Sequence, residues 1–183
     1  MDALTAQILE FWKDELITLP STLLDKFKLP QETREFLQTV GLPMKEGKLS
    51  TIASEALEIG FYKELGKLNY ILVENQKFIA IAQDADNIGV FTCIEEPTGK
   101  IYSVANFLSD PMYINSSIKE LLAFLRIYII EGELAGENLS EKQVIEVAKK
   151  IKTQFQEIDA KAMAEAENFW PEVLSPLEQG FLL

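Results

Sequence analysis

The chain has 183 residues, 48% hydrophobic and 25% charged, with eleven Phe and two Trp; that is enough apolar material for one continuous core and excludes a solvating, disordered chain. Its 29 acidic against 17 basic residues give a formal net charge of -12, the wrong sign for nucleic-acid phosphates or an anionic membrane surface. Histidine is absent and Cys93 is the only cysteine, which removes Ser-His and Cys-His nucleophile pairs, an intrachain disulfide and a thiolate metal cluster.

The first segment places Leu4, Ile8, Leu9, Phe11 and Trp12 at helical spacing and carries acids where a signal peptide would carry bases. The longest apolar stretch, Leu121 to Ile130, is broken by Arg126 and is shorter than the about 20 residues a bilayer span needs, so a cytoplasmic location is expected. Pro20 and Ser21 restart the chain, with Ser21 expected to cap a short turn through Leu24 and Phe27. Pro30 then suits the first turn of a helix whose stripe is Phe36, Leu37 and Val40, and Gly41 supplies a left-handed stop before Leu42-Pro43.

Met44 to Leu68 reads as an irregular connection holding short strands. Beyond it the hydrophobic period changes to two. Tyr70 to Val73, Phe78 to Ala82, Ile88 to Glu95 and Lys100 to Ala105 read as strands, with turns at Asn75-Gln76, Asp84 to Asn87 and Glu96-Pro97-Thr98-Gly99. Connections this short predict an antiparallel meander. Apolar residues on both faces predict helices covering part of each.

Tyr113-Ile114 reads as a last strand, after which Ser117-Ile118-Lys119-Glu120 matches a capping box and opens a long helix with the stripe Leu121, Leu122, Leu125, Tyr128 and Ile129, ending at Gly132 or Gly136. Ser140 to Gln143 repeats the capping pattern before Val144, Val147, Ile151, Phe155 and Ile158. Ala160 to Glu167 favours helix, Trp170-Pro171 is expected to break it, and the apolar tail is expected to dock on the body. The fold class is therefore α+β: an antiparallel-rich meander flanked by N-terminal helices and a C-terminal helical segment. Residues 1–183 read as a single domain, with 140–183 as a C-terminal elaboration.

Few constellations point to chemistry. Asp84, Asp86, Gly89 and Glu95 fall at positions one, three, six and twelve of a calcium loop, but Ile88 offers no side-chain oxygen at the fifth and the flanks read as strands rather than helices. Glu95 and Glu96 are adjacent on a strand and point to opposite faces, which keeps them from converging on one bond. Lys149, Lys150 and Lys152 read as a solvated helix face, and Trp12 and Trp170 as core or docking residues. Catalysis, metal binding and a cofactor are not expected.

The order of signals carries a resemblance: L-P-x-x-L-L from Leu19 to Leu24, F-L-x-x-V-G-L-P from Phe36 to Pro43, the meander, then Y-I-N-S-S from Tyr113 to Ser117 leading into Leu122-Ala123-Phe124-Leu125. This is similar to the SUKH superfamily, specifically the immunity-protein subgroup with V-G-L-P-like and V-N-S-S-like segments. The resemblance implies an antitoxin of a bacterial polymorphic toxin system, binding and neutralising a cognate toxin, often a nuclease. A nuclease needs a basic surface, which an acidic inhibitor would complement. The same fold used as a regulatory scaffold or adaptor for a host protein is the alternative. Glu74, Asp84, Asp86, Glu95 and Glu96, at the expected hairpin ends, are the candidate protein-binding acids.

Overall fold

The structure is a computed structural model describing residues 1–43, 46–48, 58–61, 68–84, 89–105, 110–135 and 139–181. Helix α1 (Ala3–Trp12) starts at Asp2, whose extended backbone lets its carboxylate accept the Thr5 N–H at 2.9 Å. That hydrogen bond is the main reason the Asp2 carboxyl is held below its ordinary value. The short α2 (Ser21–Leu24) is capped by Pro20 rather than by Ser21, which lies inside the helix and makes no capping bond. Arg34, on α3 (Gln31–Thr39), closes the far end of α2. Its guanidinium donates to the Leu24 and Phe27 carbonyls at 3.0 and 3.1 Å and pairs with Asp25 at 2.9 Å.

After α3, Gly41 adopts φ +91, and a Cβ there would lie 2.2 Å from the Ile17 carbonyl oxygen. Only glycine admits that approach, which pairs β1 (Leu16–Ile17) with β2 (Leu42–Pro43) in a small antiparallel sheet. The irregular connection does hold two short strands, β3 (Glu46–Lys48) and β4 (Glu58–Phe61).

These lead into the main sheet with β5 (Tyr70–Val73), β6 (Gln76–Asp84), β7 (Val90–Glu96), β8 (Ile101–Ala105) and β9 (Met112–Asn115). Among the described residues it has seven strands, all antiparallel. The order is β3-β4-β6-β7-β8-β9, with β5 pairing the first half of the same β6 edge that β4 pairs further on. The expected meander is present, and the β5-β6 turn falls one residue earlier than predicted, on Glu74 and Asn75.

One face of this sheet presents Ile79, Ile81, Ile94, Ile101 and Ile114 to a core shared with every helix. A bulge between Ala80 and Ala82 turns Ala82 onto that face as well. The opposite face carries a smaller cluster of Phe78, Ala80, Cys93 and Val104, packed by Ile71, Val73, Phe91 and Tyr102. All of these are strand residues, so among the described residues the helices cover one face and not both.

Helix α4 (Ile118–Ala135) lies at the centre, and Leu121 through Leu125 are buried on every side of the helix. It runs through Gly132, the first of its two expected stops, while residue 136 lies outside the described residues. Helix α5 (Glu141–Ile158) stacks Phe155 on Phe124 of α4, with ring centroids 3.8 Å apart. At its start Gln143 Oε1 accepts the Ser140 N–H at 3.0 Å, as the capping pattern predicts.

The segment after α5 departs from expectation. A 3-10 turn (Ala160–Met163) replaces the expected helix, and Trp170-Pro171 opens α6 (Phe169–Glu178) instead of ending one. Pro171 is the third residue of α6, where a backbone N–H has no intrahelical acceptor and proline therefore removes nothing. Trp170, Leu174 and Leu177 are fully buried, so the tail docks on the body.

Candidate protein-binding surface

The five sequence-predicted acids do not share one rim. Antiparallel pairing of β6 with β7 sets Gln76, Lys77 and Glu96 at one end of the sheet and Asp84 at the other, roughly 25 Å away at the usual rise per strand residue. Glu74, Glu95 and Glu96 therefore lie together, Asp84 closes β6 at the far end, and Asp86 lies outside the described residues.

At the near end, two of the three acids are committed to the fold. Glu95 is only 8% exposed, and its carboxylate accepts the Thr98 hydroxyl within the β7-β8 turn. Its backbone closes that turn, with Gly99 N–H to Glu95 O at 2.9 Å and Glu95 N–H to Lys100 O at 2.8 Å. Gly99, at φ +77, presses against α3, where a Cβ would meet the Thr33 hydroxyl at 2.5 Å. Glu96 Oε1 accepts both the Lys28 N–H at 2.5 Å and the Tyr70 hydroxyl at 2.6 Å. Tyr70 also stands edge-on to Phe27 at 5.3 Å, so Glu96 and Tyr70 clasp the segment between α2 and α3 to the sheet. Burial, and then the Glu96 carboxylate, push the Tyr70 hydroxyl up to about 12.

Glu74 differs. It is exposed, it forms no ion pair or side-chain hydrogen bond with any described residue, and it occupies φ 53, a region that side-chain-bearing residues seldom enter. Next to it, β5 exposes Leu72 at 67% and Tyr70 at 38%, while Ile71 and Val73 turn inward to the smaller cluster. Lys77 faces Leu72 across the β5-β6 pair, with its ammonium 5.2 Å from the centre of the Tyr70 ring. Sequence reasoning assigned β5 to the sheet but not to a surface. The signal available was that Tyr70-Ile71-Leu72-Val73 is apolar throughout, where a solvated edge strand normally alternates with polar residues.

A second cluster, missed in the sequence, centres on Asp159 at the end of α5. Its carboxylate accepts the Ser116 N–H at 2.7 Å, the Ser116 hydroxyl at 2.9 Å and the Asn115 amide at 3.3 Å. Asn115 Oδ1 in turn accepts Trp170 Nε1–H at 2.9 Å, and Tyr113 lies 2.9 Å from Ser116 Oγ. Because Ser116 gives its one hydroxyl proton to Asp159, the Tyr113 hydroxyl is the donor in that last contact. Asn115 and Asp159 are both buried, so the Y-I-N-S-S segment latches β9 to the C-terminal helices.

The lysine run on α5 is also structural in part. Lys150 pairs with Glu131 of α4 at 2.7 Å and Lys152 with Glu178 of α6 at 2.6 Å. Cys93 is fully buried, and burial pushes its thiol up to about 12, leaving essentially no thiolate at neutral pH. No helix among the described residues is long and apolar enough to cross a membrane.

The family model of the SUKH-4 immunity protein matches residues 5–176, from α1 into α6. The chain belongs to the SUKH-4 immunity protein family. The SUKH-4 match includes α5, Asp159 and most of α6, a stretch beyond the Leu19 to Leu125 segments that carry the sequence resemblance. No curated protein and no solved structure matches the chain.

Proposed function

We propose that this SUKH-4 chain protects its producing cell by binding a cognate toxin in the cytoplasm as a single 183-residue domain, and that it makes or breaks no bonds in doing so. Family membership over residues 5–176 carries the reading. The net charge of -12 adds the chemistry of the partner, because an acidic surface accelerates encounter with a basic one and the toxin is then basic, as a nuclease would be. Of the candidate acids, Glu74 offers its carboxylate to a partner without loss to the fold, and Asp84, at the far end of β6, is a separate candidate contact. Glu95 and Glu96 act behind the surface by holding the β7-β8 turn and the Tyr70 clasp.

The test is protection. Each protein encoded by the genes flanking this one is expressed in a susceptible bacterium, with and without the full chain. One of them is expected to arrest growth alone and to be silenced, in a one-to-one complex, when the chain is present. Growth arrest that persists alongside the folded chain for every such product would contradict the proposal.

A further inference from the structure

The outer edge of β5 is unoccupied by any strand among the described residues, since β5 pairs only with β6. The Asn69 carbonyl accepts the Ala80 N–H at 3.0 Å, and pairs in an antiparallel ladder alternate between bonded and non-bonded. The residues whose backbone groups point toward β6 are therefore Asn69, Ile71 and Val73. Those of Tyr70 and Leu72 point away, toward the open edge. Natural edges are blunted by charge, proline or a bulge, yet Tyr70 to Val73 contain no charged residue or proline and keep a regular register. Leu72, the most exposed side chain of the strand, stands where a short added strand would cover it. Glu74 places a carboxylate at the end of this edge, in a left-handed turn position that glycine or asparagine would fill with less strain.

We infer that the outer edge of β5 is the docking site for an extended segment of the toxin, paired to the Tyr70 and Leu72 backbone, with an apolar side chain over Leu72 and a basic one at Glu74. This rests on the toxin-binding reading above. A second copy of this chain is the disfavoured occupant, because pairing two edges brings together two molecules that each carry -12. A four-residue edge fits the known mode in which main-chain hydrogen bonds supply affinity and alternate side chains supply specificity.

The experiment measures binding of the full chain to the toxic flanking-gene product by calorimetry, with the melting temperature of each variant recorded alongside. Leu72→Pro removes an outward N–H without touching the β5-β6 ladder, Leu72→Asp removes the apolar anchor, and Glu74→Gln removes the charge. Losses of at least 100-fold for the first, at least 10-fold for the second and 3- to 10-fold for the third are expected. A variant that does not fold is replaced by Leu72→Ala, expected to lose about 5-fold. A toxin bound with wild-type affinity by all folded variants would overturn the docking site while leaving the toxin-binding reading intact. Absence of any wild-type complex would overturn both. Sedimentation showing a dimer of the free chain that Leu72→Pro dissociates would overturn it in favour of a second copy.

Discussion

Tyr70 and Glu96 share a 2.6 Å hydrogen bond that exists only while the tyrosine keeps its proton. The Tyr70 hydroxyl titrates near 12 in the folded chain against an ordinary value of 10.0, with Tyr113 also raised to about 12 and Cys93 raised from 9.0 to about 12. Over pH 10 to 12 the unfolded chain therefore holds fewer protons than the folded one, and stability falls as pH rises. Below pH 10 the tyrosine contribution is fully present. Tyr70→Phe removes one of these groups, so urea midpoints followed from pH 9 to 12 are expected to fall less steeply in that variant. An unchanged slope would show that the clasp does not restrain the hydroxyl. At the same scale, charge reversal at Glu95 or Glu96 would disturb the fold before it reported on binding, whereas reversal at Glu74 reports on the surface alone.

At the scale of elements, the latch from β9 to α5 and α6 adds buried polar bonds to the apolar core that joins the C-terminal helices to the sheet. Removing the Asp159 carboxylate strands the buried Asn115 amide and the half-buried Ser116 N–H, and a buried donor left unpaired costs about 1–3 kcal/mol. Asp159→Ala is expected to lower stability in urea by about 3 kcal/mol, with Asp159→Asn, which keeps one acceptor, losing roughly half as much. A loss below about 0.5 kcal/mol, the level of an ordinary surface change, would mean that the helices hold by apolar packing alone.

The same elements show what the sequence could and could not reveal. Strands β5 to β9 and helices α1, α3, α4 and α5 were legible because each repeats its apolar residues at its own period and carries its own start or stop signal. The α6 start was misread because Trp170-Pro171 breaks a helix in the interior and fits one in its first turn, and spacing does not distinguish the two. Asp159 lies 43 residues from Ser116, and no periodicity reports a contact of that range. Glu74, Glu95 and Glu96 stand at one end of the sheet, but their division between clasp and surface depends on the Tyr70, Lys28 and Thr98 partners that only the fold supplies.

For the whole molecule, a SUKH-4 fold with a net charge of -12 and an edge strand left open among the described residues implies, on the proposed reading, two separate contributions to binding. On that reading, long-range charge brings a basic toxin in, and the short-range edge holds it. The first is screened at the Debye length of about 8 Å in physiological salt, while main-chain pairing and apolar contact are nearly indifferent to it. The most direct test of the account is the association rate of the chain with the toxic flanking-gene product, measured by stopped flow between 20 and 500 mM NaCl, on the order of a 25-fold range in ionic strength. Association is expected to slow by at least 10-fold across that range while dissociation changes less than 3-fold. An association rate independent of salt, or a toxin silenced without any complex forming, would contradict it.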